Sequence, residues 1–149
     1  MSRFLYPLLV EQLEGGRWLT LAPLRYGSDL LGCTLTVPAR FITDFASVPR
    51  WLPLTWYLTG DTAHRPAAIH DWIYQRHVAE GIDRARADAV LYEAMGVDEI
   101  EPVPDWQRGL IWAGVRAGGW VAWRRHERRA KTLNPLWHTN GWPNIHNEA

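Results

Sequence analysis

The chain changes character once, at Pro49, and that change limits the folds open to it. Before it, "YPLLVEQL", "RWLTLAPL" and "GCTLTVPARFIT" are short apolar or alternating runs, punctuated by "EGG" (14–16) and "YGSD" (26–29). Such runs between turn-forming clusters read as strands, and "EGGR" joins the first two as a hairpin. After Pro49 come stretches of helical length. Strands gathered at one end and helices at the other leave no βαβ unit, so the expected class is α+β with a small N-terminal antiparallel sheet.

The helical part carries its own start and stop signals. "VPRWLPLTWYLTG" (48–60) holds two prolines and reads as a short helical turn and loop. Three helices follow. The first covers 62–81, with Thr62 as N-cap, Pro66 in the first turn and Gly81 at the end. The second covers 83–96, with Asp83 as N-cap and Gly96 beyond the last turn. These middle two form an antiparallel hairpin. The third covers 104–130, acidic at Asp105 and basic near its end, as the helix dipole favours. Gly118 and Gly119 mark a bend or a close crossing within it. The division expected is one α+β domain over 1–131 and an extended C-terminal tail over 132–149.

Composition narrows the function classes. A length of 149 residues suits one domain with a real core. Lys+Arg and Asp+Glu both count 16, so net charge gives no signal for nucleic acid, which is not an expected partner. Cys33 is the only cysteine, which rules out an intrachain disulfide and argues against a Cys-based zinc site. No run approaches the roughly 18 apolar residues of a membrane span. "MSRFLYPLLVEQLEGG" makes a poor signal peptide, so synthesis without export is expected.

Chemistry concentrates in "AAIHDWIYQ" (67–75). Tyr74 stands one helical turn after His70, on the same face, with Asp71 rotated by about 100°. Folding the hairpin near residue 80 brings Asp88 within about one turn of His70. A carboxylate on one imidazole nitrogen fixes the tautomer and leaves the other nitrogen to take a proton from water. The same trio also suits an ordinary buried hydrogen-bond cluster, and spacing leaves both readings open. Upstream, "FITDFASVPRW" offers Asp44 as a metal ligand or second orienter, or as part of a capped turn with Thr43 and Ser47. Ser47 lacks the surroundings of a nucleophile elbow. The last helix carries Trp106, Trp112, Trp120 and Trp123 among several arginines, a mixture suited to a core plus a partner interface. The remaining histidines are scattered and have no assigned role.

"VPARFITDFASVPR", "AAIHDWIY" and "RARADAVLYEAM", in that order, resemble a phage and prophage family of unknown function. Its pattern is approximately VPxGFxTDxASVPR, HDWxY and ADxxFxEAM. The resemblance implies phage origin and no settled activity. More locally, "HDWIY" with the later Asp is similar to the active-site helix of secreted and parvoviral sn-2-specific phospholipases. That likeness implies His70 as base, Asp71 as calcium ligand, and Tyr74 and Asp88 as orienters. The glycine-rich calcium loop of those enzymes is missing, since the segment before the helix offers only Gly60.

The resulting expectation is a phage virion component, of tail or tail tip, carrying a His/Asp hydrolase-like site. Catalytic candidates are His70, Asp88 and Tyr74; metal candidates are Asp71 and Asp44, for a divalent cation such as calcium. One alternative is an active small hydrolase of phospholipid or cell-envelope bonds. Another is a regulator of a host protein. Expected partners are other virion proteins and the bacterial envelope or membrane; the expected location is the host cytoplasm, then the virion.

Overall fold

The computed structural model describes residues 1–45 and 62–133. Six strands come first: β1 (Arg3–Phe4), β2 (Val10–Leu13), β3 (Arg17–Thr20), β4 (Leu24–Ser28), β5 (Cys33–Val37) and β6 (Ile42–Thr43). Four helices follow among the described residues: α1 (His64–Glu80), α2 (Arg84–Gly96), α3 (Asp105–Gly118) and α4 (Trp120–Leu133). The class is α+β, as the grouping of strand and helix signals implies.

The strands make two antiparallel three-stranded sheets rather than one, ordered β1-β4-β5 and β2-β3-β6. The first expected hairpin is present. Gly15 and Gly16 turn at φ 75° and 70°, and Leu13 pairs with Arg17. Two of the runs read as single strands are each divided between the sheets. "RWLTLAPL" breaks before Pro23, and "GCTLTVPARFIT" breaks after Val37. Proline cannot donate to a ladder, which explains both breaks. At the second, Arg40 adopts φ 66° and its N–H meets the Thr20 carbonyl at 2.7 Å. The turn expected at "YGSD" lies later, at 29–32, closed by Gly32 at φ 67°. Tyr26, Gly27 and Ser28 are strand residues, because Leu24, Tyr26 and Ser28 alternate inward and are buried. Core burial outweighs turn propensity there. The two-residue strand β1 was too short to read from pattern.

Leu24, Tyr26, Leu35 and Val37 present one apolar face to the helices. Ile69 and Ile73 of α1, with Val90, Leu91 and Met95 of α2, complete the core. Glu93 fastens α2 to the sheet through a polar knot. It accepts from Ser2 Oγ (2.8 Å), Tyr26 OH (2.9 Å), Ser28 Oγ (2.7 Å) and the Leu30 N–H (2.9 Å). Burial alone would raise the Glu93 pKa; these bonds outweigh it and hold the carboxyl below its usual range.

Helix α1 begins after Ala63, which is left-handed at φ 65° and gives no side-chain cap. Thr62 is therefore not the cap; its Oγ1 accepts from Gln107 Nε2 at 3.3 Å. Pro66 does sit in the first turn and Gly81, at φ 64°, ends the helix. Asp83 caps α2 by accepting the Arg86 N–H at 2.8 Å. The long helix expected over 104–130 is two helices parted at Gly119. A Cβ at Gly119 would stand 2.6 Å from Tyr74 OH and 2.7 Å from the Val115 carbonyl oxygen. The bend thus lets backbone approach the aromatic ring that belongs to the site. Thr132 and Leu133, placed by sequence in the tail, continue α4. The rest of the tail and the segment 48–60 lie outside the described residues.

Candidate functional site

Asp88 is fully buried and receives side chains from α1, α2 and α3. From α1, His70 Nε2–H donates to Asp88 Oδ1 at 3.0 Å, and Tyr74 OH donates to the same oxygen at 2.6 Å. From α3, Arg116 Nη1 donates to Oδ2 at 2.8 Å. Arg84, one turn before Asp88 on α2, sets Nη1 3.7 Å from Oδ2 and also donates to the Arg116 carbonyl at 3.1 Å. Burial pushes the Asp88 pKa upward, yet hydrogen bonds from His70, Tyr74 and Arg116 leave it below the ordinary carboxylate range. Asp88 is therefore a fixed anion.

His70 is only 3% exposed. Burial is the main influence on its imidazole and lowers the pKa; Asp88 opposes this and does not overcome it. The ring is neutral at pH 7. An ionised Asp88 requires the proton on Nε2, which leaves the Nδ1 lone pair free. Nδ1 is buried and has no hydrogen-bond partner among the described residues. The Tyr74 ring lies 4.1 Å from the imidazole, and Trp123 meets Tyr74 edge-on at 4.9 Å.

A cleft of about 710 Å³ opens beside this pair. His70, Asp71 and Tyr74 line it from α1, and Thr43 and Asp44 from the end of β6. Val115, Gly118, Gly119 and the first turn of α4 form another wall. Asp71 accepts the Thr43 hydroxyl on Oδ2. Burial drives its carboxyl up to about 7, with a smaller push from the Asp44 charge. Asp44 and Asp71, the two residues expected to hold a metal, both line the cleft. Among the described residues, however, no three His, Cys, Asp or Glu side chains converge as a metal site. Ser47 and Arg50, and any backbone ligands from the segment before α1, lie outside the described residues.

Sequence reasoning brought His70, Tyr74 and Asp88 together, and the structure places them in direct contact. It missed Arg84, Arg116 and the bond from Thr43 to Asp71; from the sequence Thr43 reads only as part of a capped turn. Arg84 had a readable signal, an opposite charge four residues before Asp88 on one helix. Arg116 and Thr43 arrive from elsewhere in the fold and left none. Of the tryptophans expected at an interface, Trp106, Trp112 and Trp120 are 63%, 40% and 49% exposed. Trp123 instead packs inward and stacks on His77 at 3.6 Å. His77 Nδ1–H donates to the Tyr74 carbonyl at 2.9 Å.

A buried His–Asp pair on two adjoining helices, beside a cleft and under a small β-region, defines the structural class. Residues 18–115, more than half of the chain, match the family described as protein of unknown function (DUF1353), and the chain belongs to that family. The matched span contains Asp44, His70, Asp71, Tyr74 and Asp88; Arg116 and all of α4 follow it. Neither a curated protein nor a solved structure matches the chain. Among the described residues, no helix is long and apolar enough to cross a membrane.

Proposed function

We propose that the chain is a small hydrolase of phage or prophage origin, with His70 as general base and Asp88 as its buried counter-ion. The observation that carries this reading is the unpartnered Nδ1 of a buried, neutral His70 beside a cleft. A histidine kept only for structure would be expected to satisfy both nitrogens, since an unmet buried acceptor costs about 1–3 kcal/mol. In the proposed reaction Nδ1 takes a proton from water as the water oxygen attacks an ester carbonyl. The imidazolium formed is stabilised by Asp88, which Tyr74 and Arg116 hold in place. The proton then passes to the departing alkoxide as the ester C–O bond breaks, restoring neutral His70.

A calcium ion is not assigned a step. Two carboxylates, one of them bonded to Thr43 and raised to about 7, fall short of the roughly 6–8 oxygen ligands calcium takes. Phage origin rests on the motif resemblance. The virion-component reading has its own support in the exposed Trp106, Trp112 and Trp120, which suit contact with other assembly proteins. It is compatible with a working site. A regulator of a host protein would use the same surface.

The test is hydrolysis of phospholipid vesicles and of peptidoglycan, with calcium, with zinc and with EDTA, by wild type and His70→Ala. Turnover that disappears in His70→Ala while its melting curve stays cooperative supports the enzyme. No turnover under any condition, with a clear fall in the melting temperature of His70→Ala, leaves the cluster a structural one.

A further inference from the structure

The lining of the cleft carries charge that the His70–Asp88 pair does not use. Arg125 and Arg129 stand four residues apart on α4, so both lie on one face, one turn from each other. Both line the cleft, and Arg17 of β3 lines it as well. Neither Arg125 nor Arg129 has an ion-pair or hydrogen-bond partner among the described residues. Arg17 donates Nε to the Glu14 carbonyl at 3.4 Å and has no carboxylate partner among the described residues. His126 lies in the same lining; burial is the first cause of its lowered pKa, and Arg125 and Arg129 push the same way.

Two carboxylates, Asp44 and Asp71, also line the cleft. Asp71 is bonded to Thr43 and the Asp44 charge reaches His126 of α4, so the three arginines outnumber the two carboxylates in the lining without being screened off from them. Beside the arginines the lining is apolar or bare, with Val121, Ala122, Gly118 and Gly119. Guanidinium forks match the oxygens of phosphate and carboxylate in bidentate fashion. Three such groups suit a phosphate, which can carry two charges, better than a single carboxylate.

We infer that Arg125 and Arg129, with Arg17, form a subsite for a phosphate group carried by the ligand whose bond lies beside His70. A soluble phosphate ester and a phospholipid headgroup share this chemistry. The position of the scissile bond rests on the hydrolytic reading; binding of the phosphate does not.

The experiment uses the full chain with His70→Ala, so that no turnover obscures binding. Glycerol phosphate is titrated calorimetrically at low salt. Separately, sedimentation is measured with vesicles of phosphatidylglycerol and of phosphatidylcholine. We expect saturable binding of glycerol phosphate or phosphatidylglycerol vesicles, weakened roughly tenfold or more by adding Arg125→Gln and Arg129→Gln. Arg124→Gln with Arg128→Gln removes the same charge from outside the cleft and should leave binding within about twofold. Binding of the soluble ester assigns a small phosphate ligand; binding of the anionic vesicles alone assigns a headgroup. No saturable binding to either, or equal weakening by both double variants, overturns the subsite. If the wild type hydrolyses nothing while this binding pattern holds, the hydrolytic reading falls and the subsite stands.

Discussion

Arg40 holds a backbone angle that a side chain resists, with φ 66° at the step between the two sheets. Arg40→Gly should relieve about 1 kcal/mol of backbone strain, and the urea midpoint should rise, provided the added freedom of the unfolded chain is the smaller effect. Asp88 presents the opposite case, a residue with too many dependents to lose. Asp88→Leu would strand the buried His70 and Tyr74 donors and leave Arg116 without its carboxylate. A loss of about 3 kcal/mol or more is expected, measured by chemical denaturation. Asp88→Asn keeps the shape but not the charge that stabilises an imidazolium; if the site is hydrolytic, turnover should fall by roughly 10²–10⁴-fold. His70, Tyr74 and Asp88 were legible because a helical period and one short turn fix their meeting. Arg116 was not, because nothing in a local pattern says that α3 will cross behind α2.

Two glycines in the last helical stretch have opposite meanings for their elements. Gly109 lies within α3, and among the described residues no atom outside its own stretch of helix comes within 4 Å of an added Cβ. Gly109→Ala should therefore stabilise the protein by up to about 1 kcal/mol through helix propensity. Gly119 has no such room, since an added methyl would meet both Tyr74 OH and the Val115 carbonyl. Gly119→Ala should cost about 1–3 kcal/mol and displace Tyr74 from Asp88. Under the hydrolytic reading it also lowers kcat. Thermal melts of the two variants should move in opposite directions; a parallel shift would refute this account of the α3–α4 break. The sequence showed that a glycine pair sat there, and offered both a bend and a close crossing. Both occur, because the bend is what brings Gly119 against the Tyr74 ring. The division of two strand runs between sheets was less accessible. Pro23 and Pro38 were visible, but a sequence does not say which partner each half will find.

For the molecule as a whole, His70 and Asp71 tilt stability with pH in opposite senses. His70 is held below its ordinary 6.5, so as pH falls below that value the unfolded chain takes up a proton first. Stability therefore drops on acidification through that window. Asp71 has a folded pKa of about 7 against 3.8 unfolded. Between those values the folded chain keeps a proton that the unfolded chain has lost, so this contribution falls as pH rises. Asp71→Asn should remove the second slope and leave the first. Melts from pH 4 to 8 on wild type and Asp71→Asn test this, and identical profiles would show that Asp71 titrates normally.

The Glu93 knot has a consequence for how the protein opens. Four donors from the first thirty residues converge on one carboxylate of α2, five positions after Asp88 on the same helix. Breaking β4 away from α2 would forfeit the bonds of Tyr26 and Ser28 to this half-buried carboxylate, so local fraying of either is unfavourable. The β4 and α2 amides should exchange with deuterium together, as one cooperative unit. Substituting Glu93 with Gln should uncouple them, giving strand amides that exchange well before the helix that carries Asp88.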